Sequence, residues 1–216
     1  QMGMIVAVNS IWAVSTNNIY FIGLFGAIVH YNGTTFTQME SGTDIHLQDI
    51  SGTDDVEYVV AVGHNEMAHS IVLVLEDEQW MPIYECDHYY WQEDTFGAAR
   101  AVSVFADTAY ISTMRGLWKY HLPTGNSVFQ EWPYSEFSYL DYQFIKAQHP
   151  ANIFISNFAF SITHFNGSSW FQDLQLYSMY DHLSEKGGDY DGQNFLLTGS
   201  CCDYGHGIVI RGSRVE

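Results

Sequence analysis

The chain has 216 residues, 47% of them hydrophobic and 16% aromatic, which supplies enough apolar surface for a buried core and excludes a disordered tail. Seven Lys and Arg against 25 Asp and Glu leave a formal charge of −18, which repels a phosphate backbone and argues against a nucleic-acid partner. Acidity on this scale also serves solubility, so it does not by itself indicate calcium, and Cys86, Cys201 and Cys202 are too few for a disulfide framework.

In chain order, Gln1 to Val8 has a short apolar stretch and no basic lead. It therefore reads as neither a signal peptide nor a membrane span, but as a chain entered midway, already inside a strand. Ile11 to Val14 and Ile19 to Gly23 are short β-prone runs either side of the Asn17-Asn18 turn. His30-Tyr31-Asn32-Gly33-Thr34-Thr35-Phe36 then reads as a hairpin, because Asn-Gly supplies the positive φ that a tight turn requires. The same run returns as His164-Phe165-Asn166-Gly167-Ser168-Ser169-Trp170, 134 residues later. Turn chemistry explains both Asn-Gly pairs better than the glycosylation signal they happen to spell.

Two copies lie between these. Val72 to Leu75 precedes a polar turn and Trp80, and Leu117 to Tyr120 precedes Pro123-Thr124-Gly125-Asn126 and Phe129. The mean period is thus about 45 residues, the length of a four-stranded propeller blade. An apolar run precedes each hairpin at Val59 to Gly63, Ala109 to Ser112 and Ile153 to Ser156, and a fifth lies at Phe195 to Gly199. Such continuous runs suit inner strands buried on both faces, whereas a flat sandwich alternates more cleanly. Helix has almost no place, with only Tyr177 to Leu183 reading as a short turn.

The sequence therefore predicts an all-β fold, a β-propeller or propeller arc of about five four-stranded antiparallel blades. The predicted bounds within one repeat domain are 9–46, 47–90, 91–139, 140–180 and 181–216, with 1–8 a strand of a preceding or closing blade. The last blade is incomplete, ending soon after its third strand at Ile208 to Arg211. Either the N-terminal strand closes a five-bladed ring, or upstream blades are missing and the chain is the arc of a larger propeller. The arc is the favoured reading.

Ser10 to Val14, Asn18 to Gly23, Gly26 to Gly33 and Met39 to Asp44 together resemble secreted propeller-like proteins of Bacteroidetes and related bacteria, which carry no assigned activity. Leu196 to Gly199 with Gly207 to Arg214 is similar to the C-terminus of that family, while Glu85 to Phe96 matches poorly. The resemblance implies an extracellular or cell-envelope location.

In a blade whose strands run a to d outward from the axis, the b–c loops and d–a connections share one face, where propellers commonly bind. Ligand contacts are therefore expected from Phe25, His64, His69, Arg115, Phe158 and Tyr204, and from Tyr89, Tyr90 and Trp91 in the longest connection, Glu85 to Thr95. The aromatic cluster is the strongest of these, because rings stack on sugars and dominate protein interfaces. Cys86, His88, Cys201, Cys202, Asp203 and His206 fall on the same face and form a conceivable soft-metal set, although their spacing matches no structural zinc pattern. Asp189 to Asn194 loosely resembles a calcium loop but lacks the closing glutamate and sits where a hairpin is needed. Trp12, Trp80, Trp118 and Trp170 are expected to pack between sheets.

No strand-to-helix elbow exposes a nucleophilic serine, and among 25 acids some pair always looks suited to glycoside cleavage. The expected function is a non-enzymatic extracellular binding or interaction module with a glycan or protein ligand and no cofactor. The alternative is a carbohydrate-active propeller enzyme of glycoside-hydrolase type.

Overall fold

A computed structural model describes residues 7–66, 69–87, 96–132, 142–157, 162–174, 184–201 and 206–213. They form five antiparallel sheets in sequence order, four of four strands and the last of three, and these are β-propeller blades. The first sheet is β1 (Val8–Ser15), β2 (Asn18–Gly23), β3 (Ile28–Tyr31) and β4 (Phe36–Met39). The second is β5 (Leu47–Gly52), β6 (Val59–His64), β7 (Ser70–Glu76) and β8 (Gln79–Cys86). The third is β9 (Ala99–Phe105), β10 (Thr108–Thr113), β11 (Gly116–His121) and β12 (Ser127–Glu131). The fourth is β13 (Tyr142–His149), β14 (Asn152–Asn157), β15 (Ile162–Phe165) and β16 (Trp170–Leu174), and the fifth β17 (Ser184–Tyr190), β18 (Asn194–Cys201) and β19 (His206–Ser213).

The chain divides into two compact units, Gln1–Glu131 with the first three sheets and Trp132–Glu216 with the last two. In the first unit β5 packs beside β1 and β9, so the first strand of each sheet is the inner one. The second sheet has a neighbour on each face, and its middle strand β6 is accordingly apolar, with Val59 to Gly63 all buried. Outer strands such as β12 are largely exposed. One core joins the first two sheets through Ile22, Leu47, Ile71 and Leu73, and another joins the second and third through Val60, Val72, Ala109 and Ile111. In the second unit Phe144, Phe154, Tyr190, Phe195 and Leu197 form the corresponding core. Each such side chain taken from water contributes about 1.5–3 kcal/mol.

Turn chemistry fixes the register. Asn32 Oδ1 accepts hydrogen bonds from the backbone N–H groups of Thr34 and Thr35, and Asn166 Oδ1 does the same for Ser168 and Ser169. Asp191 plays this part at the β17–β18 hairpin, accepting from the N–H groups of Gln193 and Asn194, so the stretch from Asp189 to Asn194 ends a strand and makes a turn. The inner strands are laced together by side chains as well. Asp49 accepts from Ser10 Oγ on β1 at 3.0 Å and from the Val102 N–H on β9 at 2.9 Å.

Two tryptophans lie where expected, Trp80 at 5% and Trp118 at 4% exposure within the cores, and Trp12 packs against the first of them. One boundary moves. Glu85 and Cys86 belong to β8, paired with Ile71 and Ser70, rather than to a connecting loop. The neighbouring β7 carries enough buried apolar residues to hold the outer strand two residues longer than its polar composition suggests. The turn expected at Tyr177 to Leu183 and residues 1–6 lie outside the described residues.

Candidate functional site

Two ends of each sheet can be distinguished: the bc edge, where the second strand hands over to the third, and the ab edge, where the first hands over to the second. At the bc edge of the first sheet the chain makes a single 3-10 turn, Leu24–Gly26. Phe25 sits there in the left-handed region at φ 56°, which costs a side-chain-bearing residue roughly 1–2 kcal/mol. Its ring is 73% exposed. What holds it is His46, whose Nδ1 accepts the Phe25 N–H at 3.0 Å and whose ring meets the phenyl edge-on at 4.9 Å. An acceptor Nδ1 requires the neutral imidazole with its proton on Nε2.

His46 is the residue that sequence reasoning missed, and its position is systematic. The carbonyls of Ala7, His46 and Ala98 accept the N–H groups of Leu24, His64 and Met114, so each of the first three sheets ties the residue before its first strand to the end of its second. In the first two sheets the approach is close enough to require glycine, whereas Thr113 stands at the equivalent position of the third. A Cβ on Gly23 would lie 1.8 Å from the Ala7 carbonyl oxygen, and one on Gly63 would lie 2.3 Å from that of His46. The glycine that ends the first two of these runs was thus the available signal, and of the three tied residues only His46 carries a polar side chain.

Beside Phe25 lies an open cavity of about 880 Å3, lined by Ser41, Gly42, Thr43 and Asp44 from the β4–β5 connection and by Glu40 and Glu85. The connection is ordered locally: Ser41 Oγ accepts the Thr43 N–H, and Thr43 Oγ1 accepts the Ile45 N–H. The polar Ser-Gly-Thr-Asp run therefore forms a wall of the cavity.

The bc edge of the first unit gathers several predicted site residues. His64 follows His46 directly through the His64 N–H to His46 carbonyl bond, and its Nδ1–H donates to the Asn65 carbonyl. Asn65 Oδ1 in turn accepts the His69 N–H at 3.1 Å. Arg115 occupies the same edge of the third sheet, its Nη2 2.9 Å from Glu131 Oε1. Cys86 lies at the end of β8 opposite Ser70. Tyr89, Tyr90, Trp91, Phe158 and Tyr204 lie outside the described residues, as do His88, Cys202 and Asp203. Cys201 and His206 are described by backbone alone, as partners closing the β18–β19 hairpin. Among the described residues no group of three or more His, Cys, Asp or Glu could hold a metal ion.

Perturbed ionisations fall elsewhere. Asp55, Asp107 and Asp191 are held below the ordinary carboxylate range by hydrogen bonds within ab-edge turns, chiefly from Thr53, His121 and Asn194 respectively. Burial, with the Glu78 carboxylate assisting, raises the Tyr20 phenol, and burial lowers His30 against the opposing pull of Glu78.

No protein-family model and no curated protein matches the chain. Solved structures share its fold at low identity. YCF48 from Cyanidioschyzon merolae gives a TM-score of 0.62 at 10% identity, over 90% of this chain and 64% of that one. A structural-genomics protein of unknown function from Bacteroides thetaiotaomicron gives 0.64 at 13% identity, over 88% and 52%. The extracellular domain described as part of hybrid two component system BT4673 from B. thetaiotaomicron gives 0.60 at 14% identity, over 95% and 27%. The chain thus spans less than two thirds of each, and what the three have in common with it is the propeller fold.

Proposed function

We propose that this chain is a non-enzymatic binding module, working outside the cell or in the cell envelope, that seats a protein ligand on the bc edge of its first two sheets with Phe25 as the anchor. The observation that carries the reading is the pairing of exposure with fixation: a phenyl ring 73% exposed, yet held at φ 56° by the His46 imidazole. A backbone already fixed at the anchor loses little further entropy on binding, and hot-spot side chains contribute about 2 kcal/mol or more at protein interfaces. The flanking hydroxyls, carboxylates and backbone of Ser41 to Asp44 supply the polar rim. The extracellular placement is supported by the fold shared with an extracellular domain from B. thetaiotaomicron, and no helix among the described residues is long and apolar enough to cross a membrane.

The test is selection of a phage-displayed random peptide library on the wild-type protein and on Phe25→Ala, with both also applied to a glycan array. Peptides enriched on the wild type and lost on the variant support the reading. Glycan binding without peptide enrichment replaces protein with sugar as the ligand, and enrichment that survives Phe25→Ala moves the seat off this edge.

A further inference from the structure

The ab edge carries a second surface, which meets the Phe25 cavity at Gln38 to Glu40 and Gly42 and otherwise has its own lining. A cleft of about 1180 Å3 opens between the first and second sheets and reaches Tyr120 of the third. Tyr20 and His30 line it from the first sheet, Glu57 and Tyr58 from the β5–β6 connection, and Glu76, Asp77 and Glu78 from the β7–β8 turn. Trp80 also lines it, at 5% exposure, and its indole Nε1–H has no hydrogen-bond partner.

We propose that this cleft binds a lysine- or arginine-bearing segment of a partner protein. Charge complementarity selects that occupant. Glu57, Glu76, Asp77 and Glu78 are exposed along the cleft, and no lysine or arginine lines it. Its one basic group, His30, is shifted by burial toward the neutral form. The field reaches the walls, since Glu78 acts on both Tyr20 and His30. The aromatic lining supplies what a bare acidic patch lacks. The part-exposed rings of Tyr58 and Tyr120 attract a guanidinium or ammonium, while the aliphatic stem of a long basic side chain covers apolar surface such as Met81 and Ile83. A divalent ion is a poorer occupant, because no three carboxylates among the described residues converge on one point. An extended segment with spaced cations matches spaced carboxylates.

The experiment is fluorescence anisotropy of a fluorescein-labelled peptide of alternating arginine and glycine, at roughly physiological salt, where weak non-specific attraction is screened. Glu57→Gln combined with Glu78→Gln is expected to weaken binding about tenfold or more. Glu66→Gln combined with Glu131→Gln removes the same charge at the bc edge and is expected to leave binding unchanged, as is Phe25→Ala. Equal weakening by both double variants reduces the effect to net charge and overturns the site, as does absence of binding by the wild type. Loss on Phe25→Ala relocates the peptide to the bc edge and also overturns it. Because the peptide-display test reads Phe25 and this one reads Glu57 and Glu78, failure of one leaves the other standing.

Discussion

The interface between the first and second sheets and that between the fourth and fifth are built on one plan and filled differently. His30 stacks on Tyr20 at 4.4 Å while its Nε2 meets Asn18 Oδ1 at 2.7 Å. His164 stacks on Phe154 at 4.2 Å with its Nε2 2.8 Å from Asn152 Oδ1. The partner on the inner strand then diverges, Trp12 opposite Tyr20 but Lys146 opposite Phe154. Across the first interface Trp12 lies against Gly52, where a Cβ would come within 2.7 Å of the indole. Across the second, Tyr190 occupies the hairpin-closing position that Gly52 holds, stacking on Phe195 and packing on Phe154 at 4.3 Å, while Lys146 pairs with Asp189 at 3.0 Å. Ring volume is supplied from one side or the other, not both. The repeated His–Asn–aromatic unit is therefore structural, and individuality resides in what surrounds it: carboxylates and an open cleft in one case, a closed aromatic stack in the other.

The comparison is broken most severely by Phe154→Ala. Phe154 is 2% exposed and touches His164, Tyr190 and Phe195, so its loss is expected to cost about 3–5 kcal/mol in urea unfolding of the full chain. A loss near zero would show that the fourth and fifth sheets do not share this core. Next comes Gly52→Ala, expected to cost about 1–3 kcal/mol by overpacking. Trp12→Ala in the same chain should recover part of that in a double-mutant cycle, and only part, because the Tyr58 carbonyl oxygen also lies 2.7 Å from the new methyl. Asn18→Ala and Asn152→Ala each remove one histidine hydrogen bond and should cost about 1 kcal/mol apiece, with somewhat more for Asn152, whose Nδ2 also donates to Gln148 Oε1 at 3.3 Å. A difference much larger than that between the two would deny their equivalence.

Smaller effects sharpen the picture. The Asp191 carboxyl is lowered from 3.8 to about 2 by hydrogen bonds from Asn194 and Gln193. Because the folded value is the lower one, its stabilisation is complete above the unfolded value of 3.8 and is lost as pH falls toward about 2. Asp191→Asn should keep the turn, as Asn32 and Asn166 do in theirs, and flatten that part of the acid limb in thermal melts from neutral pH to pH 2. Least of all, Phe25→Gly should raise stability by less than about 1 kcal/mol by relieving the positive φ, while abolishing peptide enrichment. A clear loss of stability would mean that the ring serves the fold.

By itself the sequence determined the blades. The Asn-Gly turns, the continuous apolar runs of β6 and β7 and the near-repeat of His30 to Phe36 at His164 to Trp170 all act between residues close along the chain, so period and strand order were legible. Phe25 was legible too, as a loop residue on the shared bc edge. Tertiary structure alone decided the rest. His46 comes to Phe25 from 21 residues away, Trp12 meets Gly52 across two sheets, and Glu57 and Glu78 come from different connections to line one cleft with Tyr20. These meetings depend on the register and approach of whole sheets, which arise from summed packing that no local pattern of residues specifies.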